Sequence, residues 1–123
     1  MTMPPLRRMT LFLAGLIGAS GVALSAVAAH GDEARLTGTA AALCLAQAPA
    51  LLALYAGFDR IRTATIAALL IGLGCLLFAS DLMYRSKTGT GFFPMSAPTG
   101  GTMMILGWIA LGAGALAPVK SES

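Results

Sequence analysis

Residues 9–29 read MTLFLAGLIGASGVALSAVAA, a run of 21 residues that contains no charged side chain. An α-helix rises 1.5 Å per residue, so about 20 apolar residues cross the roughly 30 Å of hydrocarbon in a bilayer. The run is too long for a barrel strand, and its apolar residues do not alternate with polar ones. It therefore predicts a helix that spans a membrane.

Three further stretches have the same apolar character, at residues 36–58, 63–84 and 100–119. Of the 123 residues, 57% are hydrophobic and 11% are charged, whereas about 25% of a soluble domain is charged. No stretch is left over for a soluble domain. The sequence thus predicts a single transmembrane domain over residues 1–123, of the all-α class: an integral membrane four-helix bundle with short loops.

The Lys and Arg residues of the connections predict the orientation, because cytoplasmic loops are enriched in them. Four spans place both termini on the same side, and five basic residues lie on that side against three on the other. The first group is Arg7, Arg8, Arg60, Arg62 and Lys120, and the second is Arg35, Arg85 and Lys87. We therefore expect a multi-pass protein with both termini in the cytoplasm.

The first apolar run also has features of a secretory signal peptide. Two arginines precede it, and the Ala-Val-Ala sequence at residues 26–28 is of the kind that precedes a cleavage site. Cleavage after Ala29 would leave His30 as an N-terminal residue, whose amine and ring can chelate copper. The run is nevertheless long enough to span the bilayer, so an uncleaved first helix is the favoured interpretation.

The composition offers few candidates for conventional catalytic or cofactor sites. The chain has one His and two Cys, and no pair of acids is placed for acid–base catalysis. A structural zinc site needs four ligands, and a bis-histidine haem needs a second His. The basic residues are scattered without interleaved aromatic residues, unlike a nucleic-acid interface. We therefore predict that the protein is not an enzyme, carries no cofactor and binds no nucleic acid.

Small residues recur at roughly heptad spacing in each span, and in lipid such seams allow helix backbones to approach closely. The seam predicted for the second span comprises Ala42, Ala46, Pro49, Ala53 and Ala56. The residues singled out for packing are Gly18, Gly21, Pro49, Gly100, Gly101, Gly107 and Trp108. Pro49 lies in mid-span and lacks a backbone donor, so we expect it to kink the second helix.

Four polar residues are candidates for a structural or functional role: His30, Gln47, Asp81 and Arg85. His30 ends the first span, where the helix dipole favours a basic residue. Gln47 is expected to form a hydrogen bond to another helix, with a binding site around a broken helix at Pro49 as the alternative. Asp81 and Arg85 are spaced i, i+4 with the acid nearer the N-terminus, which predicts an ion pair.

Sulfur-containing side chains support two interpretations. Cys44 and Cys75 lie in mid-span and are interpreted as buried, small apolar residues rather than a disulfide. Methionine thioethers and a histidine on the predicted outer face suit Cu(I), although methionine is also common packing material. The candidate copper ligands are His30, Met83, Met95, Met103 and Met104.

Several short motifs resemble a known family in their set and order. They are AAHG at residues 28–31, Gln47, Phe78, PTGG at residues 98–101 and LGW at residues 106–108. Together they resemble the domain of unknown function 423 family, small four-helix proteins of the bacterial inner membrane with mitochondrial relatives similar to transmembrane protein 256. The resemblance implies a fold and a location but no activity. The chain departs from the family pattern where Ala48, Pro49 and Ala50 replace a usual second His, and where Asp81 replaces a small residue.

These observations favour an accessory, scaffold or assembly subunit of the inner membrane that acts through helix packing. Its expected partners are membrane lipid and either a larger membrane protein complex or further copies of the chain in a homo-oligomer. A small transporter or channel is the alternative, in which His30, Gln47 and Asp81 line a polar route. A copper-binding membrane protein is the second alternative.

Overall fold

The computed structural model of the protein describes residues 5–31, 34–90 and 96–116. Four α-helices account for most of these residues, and each is long and apolar enough to span a membrane. They are α1 (Pro5–His30), α2 (Ala34–Ala56), α3 (Ala64–Thr88) and α4 (Ser96–Ala113), followed by a short 3-10 helix, Gly114–Leu116. The predicted all-α membrane bundle of four spans is confirmed.

The helix ends differ from the predicted ones by a few residues, for local reasons. α1 is described from Pro5, and proline is tolerated in a first helical turn, where its missing N–H would have no helical acceptor. α4 is described from Ser96, four residues before its predicted start, and it tolerates Pro98 in its first turn for the same reason. α3 ends where Gly89 adopts a φ of 83° and donates its N–H to the Arg85 carbonyl over 2.8 Å. The predicted end of the fourth span, at residue 119, lies outside the described residues.

Two antiparallel helical hairpins build the bundle, one from α1 and α2 and the other from α3 and α4. α3 joins the hairpins because it also contacts both α1 and α2. Half of the apolar window of α3 is buried, against 22% for α1 and 17% for α4. Within the described residues α4 packs extensively on α3 alone, so most of its surface is left to face lipid.

The core lies where α1, α2 and α3 meet. Ile17, Leu51 and Ile71, one from each helix, are completely buried. Alanines and cysteines fill the space between them, and a Cβ atom on Gly72 of α3 would lie 2.8 Å from Leu13 Cδ1 of α1. Because lipid is as apolar as these side chains, dispersion and close packing hold this core together rather than the exclusion of water.

The seam predicted for α2 is on the wrong face of the helix. All five of its residues are exposed: Ala42, Ala46, Pro49, Ala53 and Ala56. The buried face comprises Ala40, Ala41, Cys44, Gln47, Ala48, Leu51 and Leu54. Small residues lie on both faces, so spacing alone could not choose between them, and the larger Leu51 and Leu54 pack inward. Pro49 therefore lies on the exposed face of α2, and the packing role expected of it stays a prediction.

α2 is nevertheless one continuous helix through Pro49. The helix is not broken there, so the alternative site around a broken helix is not formed. The kink that proline favours stays a prediction.

Three of the predicted glycines take part in close helix contacts. A Cβ atom on Gly107 would lie 2.6 Å from Ile71 Cγ1 and 2.9 Å from its backbone nitrogen, and one on Gly21 would lie 2.8 Å from the Leu45 side chain. A Cβ atom on Gly100 would lie 2.8 Å from the carbonyl oxygen of Gly74. The reciprocal distance, from a Cβ atom on Gly74 to the Gly100 oxygen, is also 2.8 Å. The sequence pattern did not indicate Gly74 as a contact residue.

The other two predicted glycines have more room. A Cβ atom on Gly18 would lie 3.5 Å from Ala48 Cβ, and one on Gly101 would lie 3.9 Å from the Phe78 ring. Both are ordinary van der Waals distances. The neighbouring helices therefore leave room for a Cβ atom at Gly18 and Gly101, and the packing role of these two glycines stays a prediction.

Candidate functional site

A hydrogen bond joins the middle of α2 to α4. Trp108 donates its indole N–H to Gln47 Oε1 over 2.8 Å. Gln47 is 5% exposed and Trp108 is 44% exposed, so the indole lies at the edge of the bundle rather than in the core. The packing role expected of Trp108 stays a prediction. The contact confirms that Gln47 hydrogen-bonds to another helix, and it identifies the partner.

The Gln47–Trp108 pair lines a lateral groove of about 580 Å³ that is bordered by α2, α3 and α4. The rest of the groove wall is apolar: Leu43, Phe78, Gly101, Met104, Ile105 and Ile109. Ile105 and Ile109 are 62% and 60% exposed, so the groove opens toward lipid. An apolar cleft with one polar group is typical of sites that bind small lipophilic molecules.

The predicted ion pair on α3 is present. Arg85 Nη2 donates to Asp81 Oδ2 over 3.1 Å. The Asp81 side chain is completely buried, whereas 36% of the Arg85 side chain is exposed. The pair therefore holds a carboxylate inside the bundle while the guanidinium, one turn nearer the helix end, reaches outward.

The described copper candidates do not converge. Met83 lines a groove between α1 and α3, whereas Met104 lines the groove beside Trp108. Met103 packs against Gly74 of α3, nine residues and about 13 Å along the helix from Met83. His30 is exposed at the end of α1, as predicted for a helix-end residue. Met95 lies outside the described residues.

His30 and Gln47, two members of the predicted polar route, lie at different depths. Gly18 of α1 faces Ala48 of α2, so Gln47 lies at about the level of Gly18. His30 is twelve residues further along α1, which corresponds to about 18 Å. The structure therefore brings Gln47 to Trp108 and Asp81 to Arg85, and leaves His30 at the end of the bundle.

The two cysteines meet at the contact between α2 and α3. Both are buried free thiols, and their Sγ atoms lie 3.9 Å apart. This is van der Waals contact and well beyond a disulfide bond of about 2.05 Å. Their predicted burial is confirmed. Over the part of the chain that the structure describes, no three His, Cys, Asp or Glu residues form a group that could hold a metal ion.

A polar cluster that the sequence did not predict lies at the other end of the bundle. Arg7 Nε donates to the Tyr55 carbonyl over 3.3 Å, and the guanidinium lies 4.8 Å from the centroid of the Tyr55 ring. Arg7 Nη1 also lies 3.6 Å from Asp59 Oδ2. These contacts hold the start of α1 against the end of α2. Opposite charges at the same predicted end of neighbouring spans are the signal that would have indicated them.

Comparison with known proteins places these observations in a family. The family model "Protein of unknown function (DUF423)" matches residues 24–101, more than half of the chain. The match takes in α2, α3 and the start of α4, and it includes Gln47, Phe78 and residues 98–101, which carry the resemblance seen in the sequence. No solved structure matches the chain. The chain belongs to the DUF423 family of proteins of unknown function.

Proposed function

We propose that this protein is a non-enzymatic accessory or scaffold subunit of the bacterial inner membrane, with both termini in the cytoplasm. The observation that carries the proposal is the outward face of α2, where a row of small residues is exposed: Ala42, Ala46, Pro49, Ala53 and Ala56. Helices in lipid associate through small residues that allow close backbone approach. This face has that composition, and the described chain leaves it open.

A groove beside this face supports the proposal. It lies between α1 and α2, measures about 630 Å³, and includes Gly15, Gly18, Ala48 and Pro49 in its wall. A Cβ atom on Gly15 would meet no atom within 4 Å, so packing within the described chain does not require glycine there. Glycine in a helix is about 1 kcal/mol less favourable than alanine. An intermolecular helix contact would account for a glycine at this open position.

The proposed occupant of the groove is a transmembrane helix of a different membrane protein. Two copies of the chain would meet through this face by two-fold symmetry. A two-fold axis at the centre of the face would set Pro49 against Pro49 of the second copy, and two rings would then meet where close backbone approach is needed. A different helix can instead place its own side chains over Gly15 and Gly18 without that conflict.

Site-specific photocrosslinking in native membranes tests the proposal. In a Cys44→Ala, Cys75→Ala background, Ala46→Cys carries a photoreactive label on the outward face of α2, and Ile66→Cys, on an exposed side of α3, is the control. We expect a heteromeric adduct from position 46 and none from position 66. An adduct of twice the chain mass would show self-association instead, and equal adducts at both positions would overturn the interface.

Gly15→Leu separates assembly from folding. Because a side chain at this position enters open space, the variant should keep the thermal stability of the purified protein while it abolishes the adduct from position 46. Gly112→Leu on α4, which also meets open space, should leave both unchanged. An undiminished adduct in Gly15→Leu would show that the groove is not the contact.

A further inference from the structure

A donor group on Gln47 has no partner within the described chain. The indole N–H of Trp108 can only donate, so the Gln47 atom that faces it over 2.8 Å is the carbonyl oxygen. This contact sets the orientation of the amide, and its NH2 group therefore points elsewhere. No described residue accepts a hydrogen bond from that NH2 group, although Gln47 is only 5% exposed.

The unpaired NH2 group is not fully enclosed in the bundle. Among the described residues, each fully enclosed side-chain nitrogen or oxygen has a hydrogen-bond partner. The Gln47 NH2 group must therefore be reached from outside the bundle, and Gln47 lines the groove of about 580 Å³ beside Trp108. The groove has the size of sites that hold small organic ligands.

An unpaired N–H donor carries a free-energy cost when it faces hydrocarbon. Lipid chains offer no acceptor, so an N–H that faces them keeps an uncompensated desolvation cost. The rest of the groove wall is apolar, with the rings of Phe78 and Trp108 among its members. The wall therefore suits an apolar, ring-containing body that presents a hydrogen-bond acceptor to Gln47, and a carbonyl oxygen is an uncharged acceptor that fits an amide N–H.

The depth of Gln47 in the membrane further limits the class of ligand that can reach it. Gln47 lies close to the middle of α2, so it lies near the centre of a bilayer that the helix spans. The ester carbonyls of glycerolipids lie at the edge of a hydrocarbon layer about 30 Å thick, roughly 15 Å away. A carbonyl at the depth of Gln47 belongs instead to a molecule that enters the hydrocarbon as a whole.

We propose that the groove between α2, α3 and α4 binds a lipophilic carbonyl compound, of the class of quinones with an apolar tail. Its carbonyl oxygen accepts a hydrogen bond from the Gln47 NH2 group, and its ring packs beside Trp108 and Phe78. The site is independent of the scaffold role, which uses the outward face of α1 and α2. Either proposal can therefore fail without the other.

Trp108 provides the readout, because it is the only tryptophan in the chain and lies in the groove. The purified protein is placed in nanodiscs of ether-linked phosphatidylcholine and titrated with a decyl-substituted benzoquinone. We expect saturable quenching of Trp108 fluorescence, and decylbenzene, which has no carbonyl, should not displace the quinone. Gln47→Leu should weaken binding about five- to tenfold, the effect of one hydrogen bond, as measured by equilibrium dialysis of the quinone.

Gly101→Leu tests the groove without touching Gln47. A Cβ atom at this position would lie 3.9 Å from the Phe78 ring, an ordinary contact, and Gly101 lines the groove, so we expect a leucine side chain to occupy part of it. The affinity of this variant for the quinone should fall at least tenfold. The Trp108 emission maximum of the unliganded variant should stay unchanged, which would show that it is folded. Gly112→Leu, in open space on α4, should bind the quinone with wild-type affinity. This comparison decides the matter even if Gln47→Leu does not fold.

Three results would overturn the inference. The first is equal quinone affinity in the wild type and in either Gln47→Leu or Gly101→Leu. The second is effective competition by decylbenzene, which would show that the groove accepts any apolar chain. The third is a change in Trp108 emission between ether-linked and ester-linked phosphatidylcholine in the absence of quinone, which would assign the carbonyl to the lipid itself.

Discussion

Asp81 and Arg85 form one ion pair but lie in different surroundings. The carboxylate is completely buried, whereas more than a third of the Arg85 side chain is exposed. A charge inside hydrocarbon is costly when its partner is lost, whereas a long basic side chain near a helix end can reach the interface. Replacement of Arg85 and replacement of Asp81 should therefore lower the free energy of unfolding by different amounts.

We predict that Arg85→Gln destabilises the protein more than Asp81→Asn. Loss of the guanidinium leaves a buried carboxylate without its cation, which costs about 3 kcal/mol. Loss of the carboxylate leaves a cation that can turn toward water, and costs about 1 kcal/mol. Reversible unfolding in mild detergent, followed by circular dichroism, measures both free energies of unfolding.

Equal losses in the two variants would show that Arg85 does not stabilise the buried carboxylate. The same variants address the transporter alternative. On the structural interpretation, Asp81→Asn leaves any proton or cation flux through reconstituted vesicles unchanged. A folded Asp81→Asn protein that had lost such a flux would assign Asp81 to a conduit.

The two polar contacts differ in how far the sequence could predict them. Asp81 and Arg85 are four residues apart on one helix, so helical geometry alone places them together. Gln47 and Trp108 are 61 residues apart, and their contact depends on how α2 and α4 are arranged. A buried polar residue in mid-span and a donor-only indole each need a partner, but that need does not identify the pair.

At the scale of the helix, glycine matters where two backbones approach closely. Gly107 lies against the backbone of Ile71, and Gly100 and Gly74 lie against each other, so α3 and α4 approach along a line of glycines. Gly18 faces only the methyl group of Ala48, at an ordinary distance. The hairpin of α3 and α4 therefore depends on glycine at more than one backbone contact.

We predict that Gly107→Leu destabilises the protein by about 3 kcal/mol and that Gly18→Leu costs less than about 1 kcal/mol. At Gly107 a side chain would collide with the backbone of α3, so the helices must separate and lose contacts along their length. At Gly18 the side chain extends into the open groove between α1 and α2. Thermal unfolding of both variants, prepared identically in one detergent, provides the comparison. A similar loss of stability in the two variants would contradict the closer backbone approach at Gly107.

The buried face of α2 shows the limit of pattern analysis in a membrane helix. In a soluble protein the apolar face points inward, but all faces of a membrane helix are apolar, so hydrophobic periodicity carries little information. Alanines occur on both faces of α2, and the inward position of Leu51, Leu54 and Gln47 decides between them. Only the positions of α1 and α3 determine where these larger side chains fit.

At the scale of the molecule, α1 is part of the core although most of it faces lipid. Ile17 is completely buried, and Leu13 lies against Gly72 of α3. Arg7 holds the start of the helix to Tyr55 and Asp59. Removal of this helix would open the core of the remaining three.

We therefore predict that residues 1–29 remain attached in the membrane. Mass spectrometry and N-terminal sequencing of protein purified from native membranes should find α1 intact. A chain that begins at Ala29 or His30 would contradict the prediction, and would favour copper binding by a histidine at or next to the N-terminus. A version expressed from His30 onward should unfold at a markedly lower temperature, because the core loses the packing contacts of Ile17 and Leu13.

We also predict that both termini lie in the cytoplasm. Arg7 and the end of α2 meet at one end of the bundle, which brings Arg7, Arg60 and Arg62 to one side of the membrane, the side richer in basic residues. Fusions at Ser123 of a reporter that is active only in the cytoplasm should be active, and fusions of a periplasmic reporter should be silent. The reverse pattern would invert the orientation.

The sequence by itself determined that the chain is a membrane protein with four spans, since length, apolar composition and the lack of charge within each span leave helices as the solution in hydrocarbon. It also determined the Asp81–Arg85 pair, which one helix contains. Only the tertiary structure decided that α3 is the central helix, which face of α2 is buried, and that Gln47 meets Trp108 on a groove. These features depend on how the helices pack in a medium that is as apolar as they are. Steric fit and hydrogen bonding there act between residues that are far apart in the chain. Hydrophobic patterning cannot distinguish the inside of such a bundle from its outside.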